Sequence, residues 1–314
     1  MCCLYGLMDR SHRFTARERS TMLNCLARAA EARGTDATGV AYNSRGKMRV
    51  YKRPITAHRL RLRLPEDALS VIGHTRLTTQ GSQKHNHNNH PWTGGSGREV
   101  FALAHNGVLH NDTWLRRSLH LPKTRIETDS YIAVQLLEQK RALTFESLKY
   151  MAEQVEGSFA FSILDRQGRI YLVKGDNPLC IYYFPSHDLY IYASTQAILS
   201  SALVQMPFYL GKPEEIRLHC GDILRLSPEG EPEQASFDTA YFDLFHWPAT
   251  SWGGTRRLSS QPIYIDYEES YLEDLKMVAA AYGYAPEEVD AMLRDGCSPE
   301  EIEDLLYCCG YGEL

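Results

Sequence analysis

The feature that most constrains the fold of this chain is a series of apolar segments joined by short turns. The stretches GVAYNSRGKMRVYKR, FAFSILDRQGRIYLVKG and CIYYFPSHDLYIYAS each predict two strands around a turn, at 44–46, 166–168 and 185–187. Helical segments flank these hairpins, but strands and helices do not alternate as they would in a parallel sheet. The sequence therefore predicts an α+β fold built on antiparallel hairpins.

Four helices are predicted around the hairpins. After a buried strand over 3–9, apolar residues recur at helical spacing until Gly34, which is a natural stop. Further helices are expected near 129–141, 144–155 and 194–205. The glycine-rich TGGSGRE stretch lacks the Lys-Ser/Thr pair of a phosphate-binding loop and predicts a hairpin connection instead.

The carboxyl-terminal part of the chain differs from the rest in charge. From residue 261 onward there are 14 Asp and Glu against Lys276 and Arg294, whereas the preceding part has 32 basic and 25 acidic side chains. A segment rich in Pro, Gly, Ser and Trp precedes this tail, and APEEVDAMLRDG and SPEEIEDLLYCCG form a weak helical repeat within it. We therefore expect a main domain over 1–246, a linker over 247–262 and an acidic helical tail over 263–314. The tail is interpreted either as a packing appendage or as a docking module.

Composition limits the classes of protein to consider. The 314 residues are 43% hydrophobic and 23% charged. No apolar stretch is long enough to span a membrane, and we expect no secretory signal because no basic segment with an apolar stretch behind it opens the chain. The eight cysteines show no disulfide rhythm and no CxxC pair, which favours a reducing compartment. The excess of positive charge before the tail is too small to indicate nucleic acid. We expect a cytoplasmic protein that binds neither membranes nor nucleic acid.

Two cysteines follow the initiator methionine. If Met1 is removed, Cys2 has a free α-amine, whose pKa is ordinarily about 8, beside its own thiol. Such a pair is a nucleophile with its own general base, although two cysteines here are more often incidental. Only Cys2 can have this amine, and Cys3 should point to the opposite face of the strand and pack in the core.

Other short motifs follow Cys2 in an order that resembles the class II glutamine amidotransferase domain family. These motifs are Met1-Cys2-Cys3-Leu4-Tyr5-Gly6, Arg33-Gly34-Thr35-Asp36-Ala37-Thr38-Gly39, Gly73-His74-Thr75-Arg76 with Thr79 and Gly81, Asn88-Asn89-His90-Pro91, His105-Asn106-Gly107, Thr128-Asp129-Ser130, and Gly157-Ser158-Phe159-Ala160. Each tripeptide alone is common, but the ordered set over about two-thirds of the chain is specific. Cys3 and Leu77 are among the departures from the family's residues.

The resemblance implies a fold, a reaction and a set of site residues. The fold is the αββα four-layer sandwich of N-terminal-nucleophile hydrolases, here with a small carboxyl-terminal helical tail. Cys2 would attack the side-chain amide of glutamine, and Asn106 and Gly107 would form the oxyanion hole. Arg76 would bind the substrate α-carboxylate and Asp129 the α-ammonium group, and Thr79 and His90 are further candidate substrate-binding residues. No cofactor is implied.

Each of these residues also has a simpler interpretation. Arg76 could end a surface strand, Asp129 could favour the start of a helix, and Asn106-Gly107 is a common turn dipeptide. The loop QKHNHNNHPW holds three histidines but no carboxylate or cysteine, so we expect no metal site. The resemblance makes residues 77–90 a lid over glutamine, with the asparagines as flexible spacers.

Three hypotheses for function remain open on the sequence. The first is a glutamine amidotransferase that releases glutamate and ammonia for an acceptor on a separate protein, because no acceptor-domain signature follows residue 250. The second is a stand-alone amidohydrolase acting on a γ-glutamyl amide. The third is a non-catalytic glutamine sensor or scaffold, which retention of Met1 would favour. The oligomeric state is left open.

Overall fold

The structure is a computed structural model that describes residues 2–95 and 99–239, together with residues 272, 275, 276, 279, 280, 284–294 and 302 of the tail. The predicted linker over 247–262 and the second helical repeat, apart from Ile302, lie outside the described residues.

Two antiparallel sheets form the centre of the molecule. In spatial order, the first contains β11 (Glu214–Ile216), β9 (Cys180–Phe184), β10 (Leu189–Ala193), β1 (Cys3–Asp9), β4 (Ser70–Arg76), β2 (Ala37–Ser44) and β3 (Lys47–Arg53). The second contains β13 (Glu233–Ser236), β12 (Asp222–Leu226), β8 (Ile170–Lys174), β7 (Gly157–Asp165), β6 (Phe101–Leu109) and β5 (Trp92–Gly94). All neighbouring strands pair antiparallel.

Helices cover the outer face of each sheet. The first sheet is covered by α1 (Ala16–Ala29) and α5 (Gln196–Gln205), and the second by α2 (Asp112–Ser118), α3 (Tyr131–Lys140) and α4 (Phe145–Gln154). Short 3-10 helices lie at Ala30–Arg33, Ala57–Arg59, Asn86–Asn88 and Pro185–His187. A further helix, α6 (Pro286–Arg294), belongs to the tail. Among the helices within the described ranges, none has the length and apolarity needed to cross a membrane.

The strand alternation of β1 explains why the layers stack in this order. Cys3, Tyr5 and Leu7 are buried against the helices of the first sheet, whereas Leu4 and Met8 are buried between the two sheets. Because β1 is buried on both faces, all seven of its residues are buried. The αββα sandwich and the packed position of Cys3 are thereby confirmed.

The predicted hairpins are also confirmed, with β2 and β3, β7 and β8, and β9 and β10 as the paired strands. The first helix ends at Ala29 and continues as a 3-10 turn to Arg33, before the predicted stop at Gly34. Four of the helices and strands were not predicted: α2, β5, β11 and β13. These are short, and β11 and β13 are largely exposed, so their sequences lack apolar periodicity.

Candidate active site

The candidate site begins where β1 starts and β4 ends. Antiparallel pairing places Cys3 opposite Thr75, which brings Cys2 to the end of β4 at Arg76. Cys2 is half-buried, and its Sγ donates to the Leu77 carbonyl oxygen at 3.4 Å. The Arg33 Nε donates to the Cys2 carbonyl oxygen at 3.1 Å and so holds the backbone at this residue.

The Cys2 thiol lies close enough to two other predicted site residues for their charges to change its pKa. Burial raises the pKa of this thiol, the positive charge of Arg76 lowers it, and the negative charge of Asp129 raises it. The thiol is therefore mainly protonated near neutral pH, and a nucleophilic role requires a base that takes its proton.

Arg76 is a buried cation held by the following loop. Its side chain is 2% exposed, and Nη1 donates to Asn89 Oδ1 at 2.8 Å. Nη2 donates to the carbonyl oxygens of Gln80 at 2.5 Å and Gly81 at 3.0 Å. In the part of the chain that the structure describes, no carboxylate lies within ion-pair distance of this guanidinium. A buried guanidinium without a carboxylate is costly, and an anionic ligand would compensate its charge.

Asn106 and Gly107 reach the site from β6 of the second sheet. Asn106 is fully buried, and its Nδ2 makes one long contact of 3.5 Å to Ser194 Oγ. The same hydroxyl accepts the backbone N–H of Leu4 at 2.9 Å, which connects Asn106 to β1 close to Cys2. The Asn106 amide thus retains donor capacity for a ligand.

Gly107 occupies a position that other residues cannot take. Its φ is +135°, and a Cβ added there would lie 2.0 Å from the Ser158 carbonyl oxygen. The close approach of β6 and β7 at this point therefore requires glycine.

Asp129 is a buried carboxylate just before α3. One of its oxygens accepts the Leu109 N–H at 2.6 Å, and the other accepts Ser130 Oγ at 3.2 Å. His105 Nδ1 lies 2.7 Å from the same Ser130 hydroxyl. Burial lowers the pKa of His105 to about 4, so this imidazole is neutral near neutral pH and places no positive charge beside Asp129.

The remaining two predicted residues lie outside this group. Thr79 is exposed in the loop that follows Arg76. His90 is buried between His74 and Trp92, with ring centroids 4.0 and 3.8 Å away, and neither ring nitrogen has a hydrogen-bond partner in the described structure. The structure thus brings Cys2, Arg76, Asp129 and the Asn106-Gly107 pair together, and places His90 in an aromatic stack.

The asparagines of the loop are structural rather than spacers. Asn88 Nδ2 donates to Glu127 Oε2 at 2.7 Å, and Asn88 Oδ1 accepts the Glu127 N–H at 3.0 Å. Asn89 Nδ2 donates to the Gln83 carbonyl oxygen at 2.9 Å. Both asparagines are fully buried, so the loop is stabilised by its own side chains. Among the described residues no three His, Cys, Asp or Glu side chains group as metal ligands.

Three residues with positioning contacts were not predicted as site residues: Arg33, Asn89 and Ser194. Arg33 and Asn89 lie in motifs that the sequence contains, and Ser194 ends the YIYAS stretch, so each carried a local signal. Their contacts to Cys2, Arg76 and Asn106 span 31, 13 and 88 residues. Only the folded structure shows such long-range pairs.

The chain was compared with known proteins. Residues 74–201 match the family described as the glutamine amidotransferase domain. The glutamine–fructose-6-phosphate aminotransferases (isomerizing) of Streptococcus agalactiae and Listeria innocua are each 34% identical to this chain, over 161 and 158 residues. Each alignment covers 48% of this chain and 26% of the relative, so the chain spans about a quarter of the length of these curated relatives.

Two solved structures resemble the fold at a TM-score of 0.61 and 19% identity, and each covers 76% of this chain. One is glutamine phosphoribosylpyrophosphate amidotransferase from B. subtilis complexed with ADP and GMP, of which 50% is covered. The other is described as the allosteric regulatory enzyme of purine biosynthesis, of which 49% is covered. At this identity the likeness supports the fold alone.

Because three histidines are buried, we expect acid to lower the free energy of unfolding of this protein. Burial lowers the pKa of His74, His90 and His105, so they stay neutral in the folded protein at a pH where the unfolded chain takes up protons. Their contribution to stability is complete above the unfolded value of about 6.5 and is lost as the pH falls below it.

Substitution of His90 tests this pH dependence. His90→Phe keeps an aromatic ring between His74 and Trp92 but removes one titrating group. We expect the loss of unfolding free energy between about pH 7.5 and about pH 5.5 to be smaller by about 1.4 kcal/mol than in the wild type, measured by urea denaturation. His110→Phe, at an exposed position, is the control. Equal pH dependence in the two variants would contradict the prediction.

Proposed function

We propose that this chain hydrolyses the side-chain amide of glutamine with Cys2 as the nucleophile, because residues 74–201 match the family described as the glutamine amidotransferase domain. The observation that carries the proposal is the buried Arg76 guanidinium, which has no carboxylate partner in the described structure and lies beside the Cys2 thiol. A zwitterionic amino acid with a side-chain amide matches the charges around this thiol, since Arg76 is positive and Asp129 negative.

The proposed first step uses the α-amine that removal of Met1 exposes. This amine takes the Cys2 proton, the thiolate attacks the amide carbon, and the carbonyl oxygen becomes an oxyanion. The Asn106 amide and the Gly107 N–H would hold that oxyanion, and a single donor of this kind supplies about 2.7–4 kcal/mol. The amine then returns the proton to the leaving nitrogen, which departs as ammonia and leaves a thioester on Cys2.

The second step is hydrolysis of the thioester by water, with the same amine as base, which gives glutamate and regenerates the thiol. Arg76 would bind the α-carboxylate and Asp129 the α-ammonium group throughout both steps. Thr79, exposed in the loop, and His90, behind it, would contribute to substrate binding through the loop rather than to the chemistry.

The ammonia is proposed to serve an acceptor on a separate protein, while a stand-alone amidohydrolase remains the alternative. The two differ in their leaving groups. An amidotransferase should turn over glutamine faster than γ-glutamyl methylamide, whereas a stand-alone γ-glutamyl hydrolase should show the reverse order of kcat/KM. The proposed cytoplasmic location matches a substrate that is a common metabolite.

Covalent labelling tests the nucleophile. A chloroketone analogue of glutamine should alkylate Cys2 with a single adduct in intact-mass and peptide analysis, and the purified protein should lack Met1. Cys2→Ala should abolish both the adduct and ammonia release, whereas Cys3→Ala should retain the adduct because Cys3 is fully buried in the core. Retained Met1, or no adduct on Cys2, would refute catalysis and favour a non-catalytic glutamine sensor.

Arginine substitution tests glutamine recognition. Arg76→Lys cannot reproduce a bidentate contact, so we expect the KM for glutamine to rise about 10- to 100-fold with a smaller change in kcat, as charge-assisted hydrogen bonds are worth about 1.5–3 kcal/mol. The variant should lose much less on 4-aminobutanamide, which lacks the α-carboxylate. Arg59→Lys, at an exposed position, is the control. An equal loss on both substrates would contradict the assignment.

We further propose that the tail over 263–314 packs on the main domain over 1–246 beside the glutamine site. The described tail residues Leu275, Ala279, Val289 and Ile302 are fully buried in one apolar cluster.

Leu77 packs against this tail cluster from the main domain. Its carbonyl oxygen is the one that accepts the Cys2 thiol, so one residue contacts both the tail and the nucleophile. The Lys276 Nζ lies 2.6 Å from Asp290 Oδ1 and joins two segments of the tail. The contact between Leu77 and the tail cluster supports the proposal that the tail stabilises the loop after Arg76.

Shortening Leu77 tests this role of the tail. Leu77→Ala keeps the carbonyl oxygen but removes the apolar contact, so we expect the KM for glutamine to rise by at least about threefold and the tail to be cleaved faster by trypsin. Leu77→Met, which conserves volume, should restore both properties. Leu203→Ala, at another half-buried position, is the control. Unchanged KM and cleavage in Leu77→Ala would contradict the proposed tail contact.

A further inference from the structure

A second concave surface lies behind the loop that follows Arg76. This cleft has a volume of about 730 Å³ and lies between β3, the loop and the segment before α3. Its charged wall consists of Lys52, Arg53 and Arg125, with His87 and Asn86 of the loop beside them. Among the residues that the structure describes, no Asp or Glu lines it. A cleft with three cations and no acid presents a positive potential to small anions.

The three cations have no acidic partners among the described residues. Lys52 Nζ donates only to the backbone carbonyl oxygens of Asn89 and Pro91. Arg53 lies over the Tyr51 ring and donates to the Lys52 carbonyl oxygen, so its remaining guanidinium donors are available. Arg125 is exposed and has no ion pair in the described structure.

Another, smaller cleft on the molecule has a different balance of charge from this basic cleft. It has a volume of about 420 Å³, and its lining combines Lys140 and Lys149 with Glu146 and Glu153. Lys149 Nζ forms an ion pair with Glu146 at 3.3 Å. The unbalanced charge of the larger cleft is therefore not shared by this smaller one.

We propose that the cleft lined by Lys52, Arg53 and Arg125 binds a phosphorylated small molecule. A phosphate group offers the acceptor oxygens and negative charge that the free guanidinium donors of Arg53 and Arg125 match. The cleft volume accommodates a ligand much larger than phosphate alone, and Thr93, Thr124 and Asn86 supply neutral polar contacts for the rest of it.

The buried side-chain amine of Lys52 supports the assignment of this cleft to a phosphorylated ligand. Burial, together with the charge of Arg76, lowers the pKa of Lys52 to about 7, so a neighbouring anion would favour its charged form.

The cleft is connected to the proposed glutamine site mainly through Asn89. Lys52 donates to the Asn89 carbonyl oxygen, and the Asn89 side chain accepts from Arg76 Nη1 at 2.8 Å. The Asn86 side chain also donates to the Lys52 carbonyl oxygen at 3.0 Å. A ligand on Lys52 therefore acts on the loop that holds Arg76, and we expect its binding to change the affinity for glutamine. This coupling, unlike the binding site itself, rests on the proposed glutamine reaction.

Calorimetric titration with three probes tests the site. Inorganic phosphate, ribose 5-phosphate and AMP share the phosphate and differ in what it carries. At least one should bind with a Kd below about 1 mM, and Arg53→Gln and Arg125→Gln should each weaken it by about tenfold or more. Arg49→Gln, on the same strand and exposed like Arg53, and Lys149→Gln, in the other cleft, should change it less than twofold.

The ranking of the probes identifies the ligand class. Equal affinity for all three would indicate a site for the phosphate group alone, and stronger binding of ribose 5-phosphate or AMP would add the sugar or the base. The proposal is overturned if none of the three binds, or if binding survives both arginine substitutions unchanged.

A kinetic arm tests the coupling separately. The probe that binds should change the KM for glutamine by about threefold or more, and Arg53→Gln should shift this effect to higher probe concentration in parallel with the Kd. A probe that binds without changing this KM would overturn the proposed coupling but would still support the proposed binding site. Because calorimetry does not need turnover, absence of glutaminase activity would refute the proposed function without affecting the binding result.

Discussion

The site depends above all on the antiparallel pairing of β1 with β4 in the middle of the first sheet. This pairing sets Cys3 opposite Thr75 and so brings the start of the chain to the end of β4. The register is well determined because β1 is buried on both faces. A slip by one residue would move Tyr5 out of the helix-facing core and Leu4 out of the space between the sheets. Packing of the core thus determines where Cys2 lies.

The second constraint is the buried charge of Arg76. Removal of a guanidinium from water is costly, and the structure offsets part of that cost with carbonyl oxygens of the loop and the side chain of Asn89. The loop must therefore keep its backbone in one conformation, which the buried asparagines support. Because its other contacts reach Lys52 and the apolar cluster of the tail, the same loop connects the proposed glutamine site, the basic cleft and the tail.

The sequence predicted those parts of the fold that have local signals. Hairpins with turn residues between apolar runs, and helices with apolar spacing, were placed correctly, as was the buried position of Cys3. The short helix α2 and the short strands β5, β11 and β13 were missed, since three to seven residues are too few to show a periodicity. Each edge strand forms because a neighbouring strand offers hydrogen-bonding groups. The partner of β11 is β9, which is distant in sequence, whereas the partner of β13 is β12, the strand directly before it.

The candidate residues show the same division. The residue types and their order are a property of the sequence by itself, and so are the antiparallel hairpins and the acidic tail. Only the tertiary structure decided that Arg76 lies beside the Cys2 thiol with no carboxylate of the described residues in ion-pair distance. It also decided that His90 stacks between two rings and that Leu77 contacts both the Cys2 thiol and the tail. Local patterns record the chemistry of neighbours along the chain, whereas burial and long-range pairing arise when distant segments exclude water together.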